Sequence, residues 1–314
     1  MMKKLQIGIS ACVTGQEVRY DKSHKRSYFC MEELSEFADF KPVCPEVAVG
    51  LPIPRPTIRQ ISKGDVITVS RPDGTSDVTE ALTEFGIAHA KQSQDLSGFI
   101  FCAKSPSCGM ERVKVYQEDG KGSEMTGVGL FSKQIMENNP LLPCEENGRL
   151  NDPVIRENFI TRIFTYQKWL DLKESKISLH KLITFHSNHK YLLMSHNIES
   201  YKALGRLLAD PQDPIETVAD QYIAMLMEAL TIKATRKSHA NTLQHLQGYF
   251  KKQLNKEKRK ELSDEIEAYR RGLTPLLVPV TLIKHYLLEY PNEYLASQVY
   301  LDPHPKELRL RYGY

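Results

Sequence analysis

Three of the six cysteines stand just after short apolar runs that predict buried strands. Each also has a Gly or Pro close by, which allows the backbone to come near a bound group. The three are Cys12 after LQIGIS at 5–10, Cys44 at the end of FKPVC at 40–44, and Cys108 in the corner KSPSCG at 104–109. Thiolates that meet at one point are ligands for zinc or for an iron–sulfur cluster.

The elements before residue 150 can bring these thiols together. Four apolar runs alternate there with helical stretches: LQIGIS at 5–10, FKPVC at 40–44, VITVS at 66–70 and GFIFCA at 98–103. This alternation predicts an α/β domain with a parallel, Rossmann-like sheet. Open sheets of this kind bind ligands where the carboxyl ends of their strands meet. We therefore expect Cys12, Cys44 and Cys108 to share one edge of the sheet.

Residue types alone leave the bound group open. Structural zinc takes four ligands, and catalytic zinc favours His or carboxylate in its set. Three thiolates on a four-iron cluster leave one iron without a protein ligand, and that iron can act as a Lewis acid. The sequence contains no CxxC pair, so buried thiols that pack as small apolar groups are the alternative. Cys102 fits that alternative, and Cys30 and Cys144 are interpreted as incidental or surface thiols.

The charge and the periodicity of the chain change near Asp152. Residues 1–152 hold 18 Lys and Arg against 21 Asp and Glu, whereas residues 153–314 hold 24 against 18. Nearly every later segment has helical periodicity, so we expect an all-α domain over 151–314 after a catalytic domain over 1–150. The basic half is the expected surface for an anionic partner. A solvated helical surface with a lysine surplus is the alternative.

Composition excludes several classes of protein. No run approaches the roughly 18 consecutive apolar residues that span a bilayer, so we expect no membrane partner. The N-terminal QIGISAC is too short and too strand-like for a signal peptide, and six cysteines are too few for a disulfide scaffold. We therefore expect a cytoplasmic protein. TGVGLF at 126–131 supplies only a fragment of a dinucleotide-binding glycine pattern.

Three motifs in this order resemble the thiouracil desulfidase family: SACVTGQEVRYD at 10–21, PVCPEVAVGLPIPR at 42–55 and KSPSCG at 104–109. The later half, with FHSNHKYLLMSH, NTLQHLQGYFK and YLASQVYLDPHPKELRLR, resembles the helical domain of two-domain members. The resemblance implies a [4Fe-4S]-dependent desulfidase that converts 4-thiouridine in tRNA to uridine and releases sulfide. It also implies that tRNA is the partner of the helical domain.

The resemblance extends to individual site residues. Cys12, Cys44 and Cys108 match the family's cluster ligands, with one open iron left to bind the thiocarbonyl sulfur. Glu46 and Ser105 match its catalytic pair, the first as general base or acid and the second as a hydrogen-bond partner of the substrate or of the water. On residue type alone, Glu46 is a surface or helix-N-terminal carboxylate and Ser105 is a turn residue.

Five residues near these motifs are further candidates for contact with a base, a ribose or a phosphate: Arg19, Tyr20, Asp21, Arg55 and Arg59. Pairing with neighbouring side chains is the alternative for Arg19 and Asp21. Two other functions stay open. The substrate could be free thiouracil or another free thiolated nucleobase, or the chain could be a non-enzymatic iron–sulfur sensor that binds nucleic acid.

The helical half carries two further patterns. His186, His189 and His196 share one helix face and could bind a metal, but leucines on that face favour a polar network at the edge of the core. Cations and tyrosines could meet RNA phosphates and bases, among them Lys190, Arg206, Arg236, Lys237, Lys251, Lys252, Tyr191 and Tyr249.

Overall fold

The protein consists of two compact units that divide between Asp152 and Pro153. The computed structural model describes residues 3–64 and 66–311. We call the two parts the first unit and the helical unit and describe each by itself. No helix within the described ranges is long and apolar enough to cross a membrane.

A four-stranded parallel sheet forms the core of the first unit. Its strands are β1 (Leu5–Ser10), β2 (Ala38–Val43), β5 (Gly98–Phe101) and β8 (Cys144–Glu146). Their spatial order is β2-β1-β5-β8, with every neighbouring pair parallel. β5 is buried along its whole length, as a strand covered on both faces must be. The predicted α/β fold class is confirmed.

Helices cover this sheet. Helix α1 (Pro45–Ala48) follows β2, while α2 (Thr79–Lys91) and α3 (Leu130–Asn138) pack against each other. Phe131 of α3 contacts Phe85 of α2 and Phe99 of β5, with ring centroids 5.7 Å and 5.9 Å away. This aromatic contact fixes the start of α3 against β5.

A second, mixed sheet was not expected from the sequence. It contains β3 (Arg59–Lys63), β4 (Val66–Ser70), β6 (Val113–Gln117) and β7 (Ser123–Gly127) in the order β4-β3-β6-β7. The run VITVS at 66–70 belongs here and pairs antiparallel with β3, so its placement in the parallel sheet was wrong. Only residues 64 and 65 connect β3 to β4, which is too short for the crossover that a parallel pair needs.

The described part of the helical unit contains no strand, one short 3-10 helix (Lys306–Leu308) and eight α-helices: α4 (Pro153–Lys173), α5 (Leu179–His196), α6 (Ile198–Ala209), α7 (Ile215–Thr231), α8 (Arg236–Gly248), α9 (Lys256–Arg270), α10 (Leu277–Glu289) and α11 (Glu293–Ala296). Polar side chains begin several of them. Ser178, Asn197 and Asn255 each accept a backbone N–H of the helix that follows. The core includes Trp169 and Tyr222, whose ring centroids lie 6.1 Å apart. The predicted all-α region is confirmed.

Candidate active site

A cavity of about 320 Å³ opens at the carboxyl edge of the parallel sheet. Four cysteines line it: Cys12, Cys44, Cys102 and Cys108. Three of them follow directly or closely after the strands β1, β2 and β5, and Cys108 lies in the loop after β5. The structure therefore brings together the three predicted ligand cysteines and adds a fourth thiol.

Local backbone geometry presents the first two thiols to the cavity. Cys12 lies in a short turn of 3-10 helix that ends at Gly15, a glycine with the left-handed φ of 100°. The carbonyl of Cys12 also accepts the backbone N–H of Lys25 at 2.8 Å, which fixes the loop. Cys44 is the N-cap residue of α1, where Pro45 occupies the first helical position.

The loop that carries Cys108 is held by its own serine. The Ser105 Oγ accepts the backbone N–H groups of Ser107 and Cys108, at 3.2 Å and 3.1 Å. The carbonyl of Ser105 accepts the N–H of Gly109 at 2.8 Å. The side-chain amide of Gln60 donates to the carbonyl of Pro106 at 3.0 Å. Ser105 thus shapes the corner and still lines the cavity, with its hydroxyl hydrogen left to donate.

Close contact with Gly129 supports the same corner from behind. A Cβ at Gly129 would lie 2.5 Å from the carbonyl carbon and oxygen of Ser107 and 2.7 Å from the nitrogen of Cys108. The carbonyl of Ser107 accepts the N–H groups of Phe131 and Ser132 at the start of α3, at 3.0 Å and 3.3 Å. Only glycine allows the helix to approach the cysteine loop this closely.

Glu46 is held at both carboxylate oxygens. Its Oε2 accepts the Arg55 Nε and Nη2 at 3.0 Å and 2.7 Å, and its Oε1 accepts the Ser107 hydroxyl at 2.8 Å. Arg55 also donates to the carbonyls of Pro52 and Val18. Arg55 also lines the cavity, so its predicted role as a substrate contact stays a prediction. Its guanidinium is committed to the protein, and its position beside Glu46 makes it a support for that carboxylate.

Burial and mutual contact set the protonation of the thiols. Burial raises the pKa of Cys108 well above its ordinary value, and it also raises the pKa of Cys44. The Cys12 thiol is hydrogen-bonded to Cys102, which raises the pKa of Cys12 and lowers that of Cys102. A bound cation would offset the raised pKa of Cys12, Cys44 and Cys108 and favour their thiolates.

Thiolates are the donors that hold iron–sulfur clusters, and they also bind zinc. Within residues 3–64 and 66–311, no group of three or more His, Cys, Asp or Glu side chains is arranged to hold a metal ion. A single zinc draws its sulfur ligands to about 2.3 Å from one point. A cluster instead spreads its cysteines over separate irons. Three thiols from three chain segments line one cavity, and cysteine thiolates are the ligands of iron–sulfur clusters. The chemistry of these residues therefore fits a cluster.

The other predicted contact residues separate into two groups. Arg19 and Tyr20 line the cavity, with the Arg19 guanidinium 5.5 Å from the Tyr20 ring centroid. Asp21 does not line it and accepts hydrogen bonds from the backbone and side chain of Ser23. Arg59 lies in the second sheet, where it donates to the carbonyl of Pro72 and stacks over Tyr116. The structure places Arg19 and Tyr20 at the site and leaves Asp21 and Arg59 outside it.

Sequence reasoning missed several residues of the site. Ser107 lies within the quoted corner, but its contact with Glu46 spans 61 residues of sequence. Lys25 and Lys104 also line the cavity, and neither belongs to a pattern that could have identified it. Cys102 was interpreted as a packing residue of its strand. The strand ends at Phe101, so Cys102 stands at the cavity.

Two other thiol interpretations need correction. Cys30 and Cys144 were interpreted as incidental or surface thiols, and because both are buried, only the surface alternative is wrong. Cys30 lies in a short helical segment after the first loop, and Cys144 begins β8. Neither lines the cavity.

Comparison with known proteins connects each half of the chain to a family. Residues 7–147 match the family model described as 2-thiouracil desulfurase, and residues 190–305 match that of a protein of unknown function, DUF1722. The chain is 32% identical over 159 residues to the uncharacterized protein YbgA of Escherichia coli (strain K12). The aligned residues make up 50% of this chain and 94% of YbgA. The chain belongs to the YbgA family.

A solved structure is also similar to part of the chain. It is the [4Fe-4S]-dependent thiouracil desulfidase TudS, at 28% identity and a TM-score of 0.39. The similarity covers 48% of this chain and 95% of the TudS chain.

Proposed function

We propose that the chain is a [4Fe-4S]-dependent desulfidase that converts 4-thiouridine in tRNA to uridine. One observation carries this proposal. Three thiols, a held carboxylate and a loop serine line one cavity, within a segment that matches the 2-thiouracil desulfurase family model. The cytoplasm, predicted from the sequence, would keep these thiols reduced.

Cys12, Cys44 and Cys108 would hold the cluster, which when bound supplies an iron without a protein ligand as a Lewis acid for the thiocarbonyl sulfur. Glu46 serves as the general base. It would accept a proton from the water that attacks the ring carbon, while Arg55 and Ser107 keep both carboxylate oxygens in place.

The reaction is hydrolytic, so it needs no electron donor. The oxygen of water replaces sulfur on the ring carbon, and the sulfur leaves as sulfide with the protons of that water. Ser105 would donate its hydroxyl hydrogen to the water or to an oxygen of the base, because its oxygen already accepts two amides. Tyr20, which is 39% exposed, and Arg19 would contact the ring or its ribose.

A base in folded RNA must leave its stack to enter this cavity. Extrusion costs a few kcal/mol, which contacts elsewhere on the RNA must offset. In this proposal the helical unit supplies those contacts. Free thiouracil is the second candidate substrate, favoured by the description of the matching family model and by a cavity close to the lower limit, about 300 Å³, of ligand pockets.

The test is an oxygen-free purification followed by a sulfide-release assay. Iron and sulfide content are measured first, and the protein is then incubated with tRNA that contains 4-thiouridine while the thione absorbance is followed. We expect the absorbance to fall as sulfide is released. The loss should be absent in Cys108→Ala and strongly reduced in Glu46→Ala.

Cys30→Ala is the matched control, because it removes a buried thiol outside the cavity and should retain iron and activity. A cluster-loaded protein that binds the tRNA but leaves the thione intact would contradict the proposal and favour the sensor. Activity on free thiouracil alone would favour the second substrate.

A further inference from the structure

A basic groove lies between the end of α8 and the start of α9 in the helical unit. It encloses about 440 Å³ and is much more open than the cysteine cavity. We call it the α8–α9 groove. Four cations line it, Lys251, Lys256, Arg259 and Lys260, and no carboxylate is among its lining residues.

The cations of the groove differ from others of the same unit in their partners. Lys258 pairs with Glu289, Lys284 with Asp302 and Arg270 with Glu267, each at 2.7 Å. Within the described residues, none of the four groove cations has a carboxylate partner within 4 Å. Four like charges around one concave surface repel each other, and that repulsion is relieved when an anion binds.

The groove has a fixed polar floor. The side-chain amide of Gln247 donates to the carbonyl of Arg259 at 3.1 Å and to the Ser263 hydroxyl at 2.7 Å, which connects α8 to α9. Asn255 begins α9 and accepts the N–H of Lys258 at 2.8 Å. Lys256, Arg259 and Lys260 are therefore held on α9, which Gln247 connects to α8, and Lys251 lies in the turn between the two helices.

An aromatic platform adjoins this charge. Tyr249 directly follows Gly248 of the groove and is 38% exposed. Its ring lies 5.8 Å from that of Tyr294, and its hydroxyl accepts a hydrogen bond from Tyr191 at 3.2 Å. A tyrosine that is held by two others can offer its exposed face to a base at little entropic cost.

We propose that the α8–α9 groove binds consecutive phosphates of an RNA backbone and that Tyr249 stacks against an adjacent unpaired base. The proposal rests on the proposed function, in which the substrate is tRNA. One small anion would not need four cations, and a flat membrane surface would not fill a concave groove. A charged backbone beside exposed bases satisfies both the cations and the tyrosine.

The experiment measures binding of the full-length chain to tRNA without 4-thiouridine, by fluorescence anisotropy at several salt concentrations. The variant is Lys251→Gln with Lys260→Gln. The matched control is Lys202→Gln with Lys284→Gln, because these lysines are exposed in the same unit but paired with Glu199 and Asp302. We expect the groove variant to weaken binding about tenfold and to lower the slope of log K against log salt by roughly two. The control should change neither.

Tyr249→Ala separates stacking from charge. We expect it to weaken tRNA binding while the salt slope stays unchanged, because a tyrosine releases no counterions. Tyr249→Phe keeps the ring and should restore the affinity. Failure of Phe to restore it would overturn the stacking part of the proposal.

The results separate this proposal from the proposed function. A groove variant with unaltered tRNA affinity, or with an affinity no lower than that of the control, would overturn the proposed role of the groove.

Wild-type protein that binds tRNA through the groove without releasing sulfide from thiolated tRNA would support the role of the groove and contradict the desulfidase proposal. Sulfide release from free thiouracil without tRNA binding would overturn the groove and leave the enzyme. Binding to phosphatidylserine vesicles, but not to tRNA, would also overturn it.

Discussion

Arg55 holds Glu46 through two N–H groups on a single carboxylate oxygen, Oε2, at 3.0 Å and 2.7 Å. The two side chains are only 3% and 14% exposed, so water screens the pair little. The Ser107 hydroxyl occupies the second oxygen at 2.8 Å. A carboxylate that is held at both oxygens has one orientation toward the cavity, as a general base requires.

Arg55→Ala should therefore reduce turnover and stability together. The variant leaves a mostly buried carboxylate without its cation, which we expect to cost about 1–3 kcal/mol of unfolding free energy. Turnover of tRNA that contains 4-thiouridine should fall at least about tenfold, because Glu46 would no longer be oriented. Urea unfolding and initial rates of sulfide release measure the two effects.

Arg55→Lys is the informative control for that prediction. It keeps the charge but loses the planar pair of donors, so we expect it to recover more stability than turnover. Unchanged turnover in both variants would remove Arg55 from the functional site.

Cys102→Ala tests whether three or four thiols hold the cluster. Its thiol lines the cavity and is hydrogen-bonded to Cys12, yet the proposed ligands are the other three cysteines. We expect Cys102→Ala to retain its iron and its visible spectrum, whereas Cys12→Ala should lose both. Iron and sulfide per chain, measured on protein purified without oxygen, decide between three and four cysteine ligands. An iron-free Cys102→Ala protein that still folds would make Cys102 a ligand.

Much of the first unit could be predicted because it depends on local pattern. LQIGIS at 5–10 forms β1 with those bounds, since a continuous apolar run suits a strand covered on both faces. The meeting of Cys12, Cys44 and Cys108 followed from a general property of parallel sheets. In each case a short segment, or the connection between segments, contained the information.

Other features of the structure depend on strand connections and side-chain geometry that an apolar run or a residue type does not show. VITVS looks like any other buried strand, and only the two-residue connection before it requires an antiparallel partner. The support that Arg55 gives to Glu46 depends on side-chain geometry, which the residue types do not show. The α8–α9 groove combines residues of two helices and of the turn between them, and its individual lysines look like ordinary solvated cations.

Gly129→Ala should disturb the cysteine loop without touching a thiol. The added Cβ would lie within 2.7 Å of backbone atoms of Ser107 and Cys108, and backbone cannot move aside as a flexible side chain can. We expect a loss of about 1–3 kcal/mol of unfolding free energy and a clear drop in iron per chain. Urea unfolding and iron analysis are the measurements.

Gly148→Ala controls for the loss of a glycine in the same unit. Its added Cβ would meet only the Cβ of Ala103, at 3.5 Å, which is an ordinary contact. We expect normal iron content and near-normal stability. If both variants lost iron equally, the close approach of Gly129 would not be the cause.

His189 should make the stability of the helical unit fall in mild acid. Burial lowers its pKa from 6.5 to about 3, opposed by the hydrogen bond between Nδ1 and the carbonyl of Phe185; Lys168 and His186 lower it further. Below pH 6.5 the unfolded chain binds a proton that the folded chain does not, so protonation favours unfolding as pH falls toward 3. Between pH 7 and pH 5 this one group should cost about 2 kcal/mol.

His189→Leu removes that contribution. The unfolding free energy of the variant should therefore change less between pH 7 and pH 5 than that of the wild type, by about 2 kcal/mol. The His189 Nε2 is buried without a partner in the described structure, so leucine removes an unpartnered polar atom, while the carbonyl of Phe185 loses its hydrogen bond with Nδ1. His180→Leu, at an exposed position of the same helix, should leave the pH dependence unchanged. Urea unfolding of all three proteins at the two pH values is the measurement. If the unfolding free energy of the wild type and of His189→Leu changed equally between pH 7 and pH 5, another group would cause the acid sensitivity.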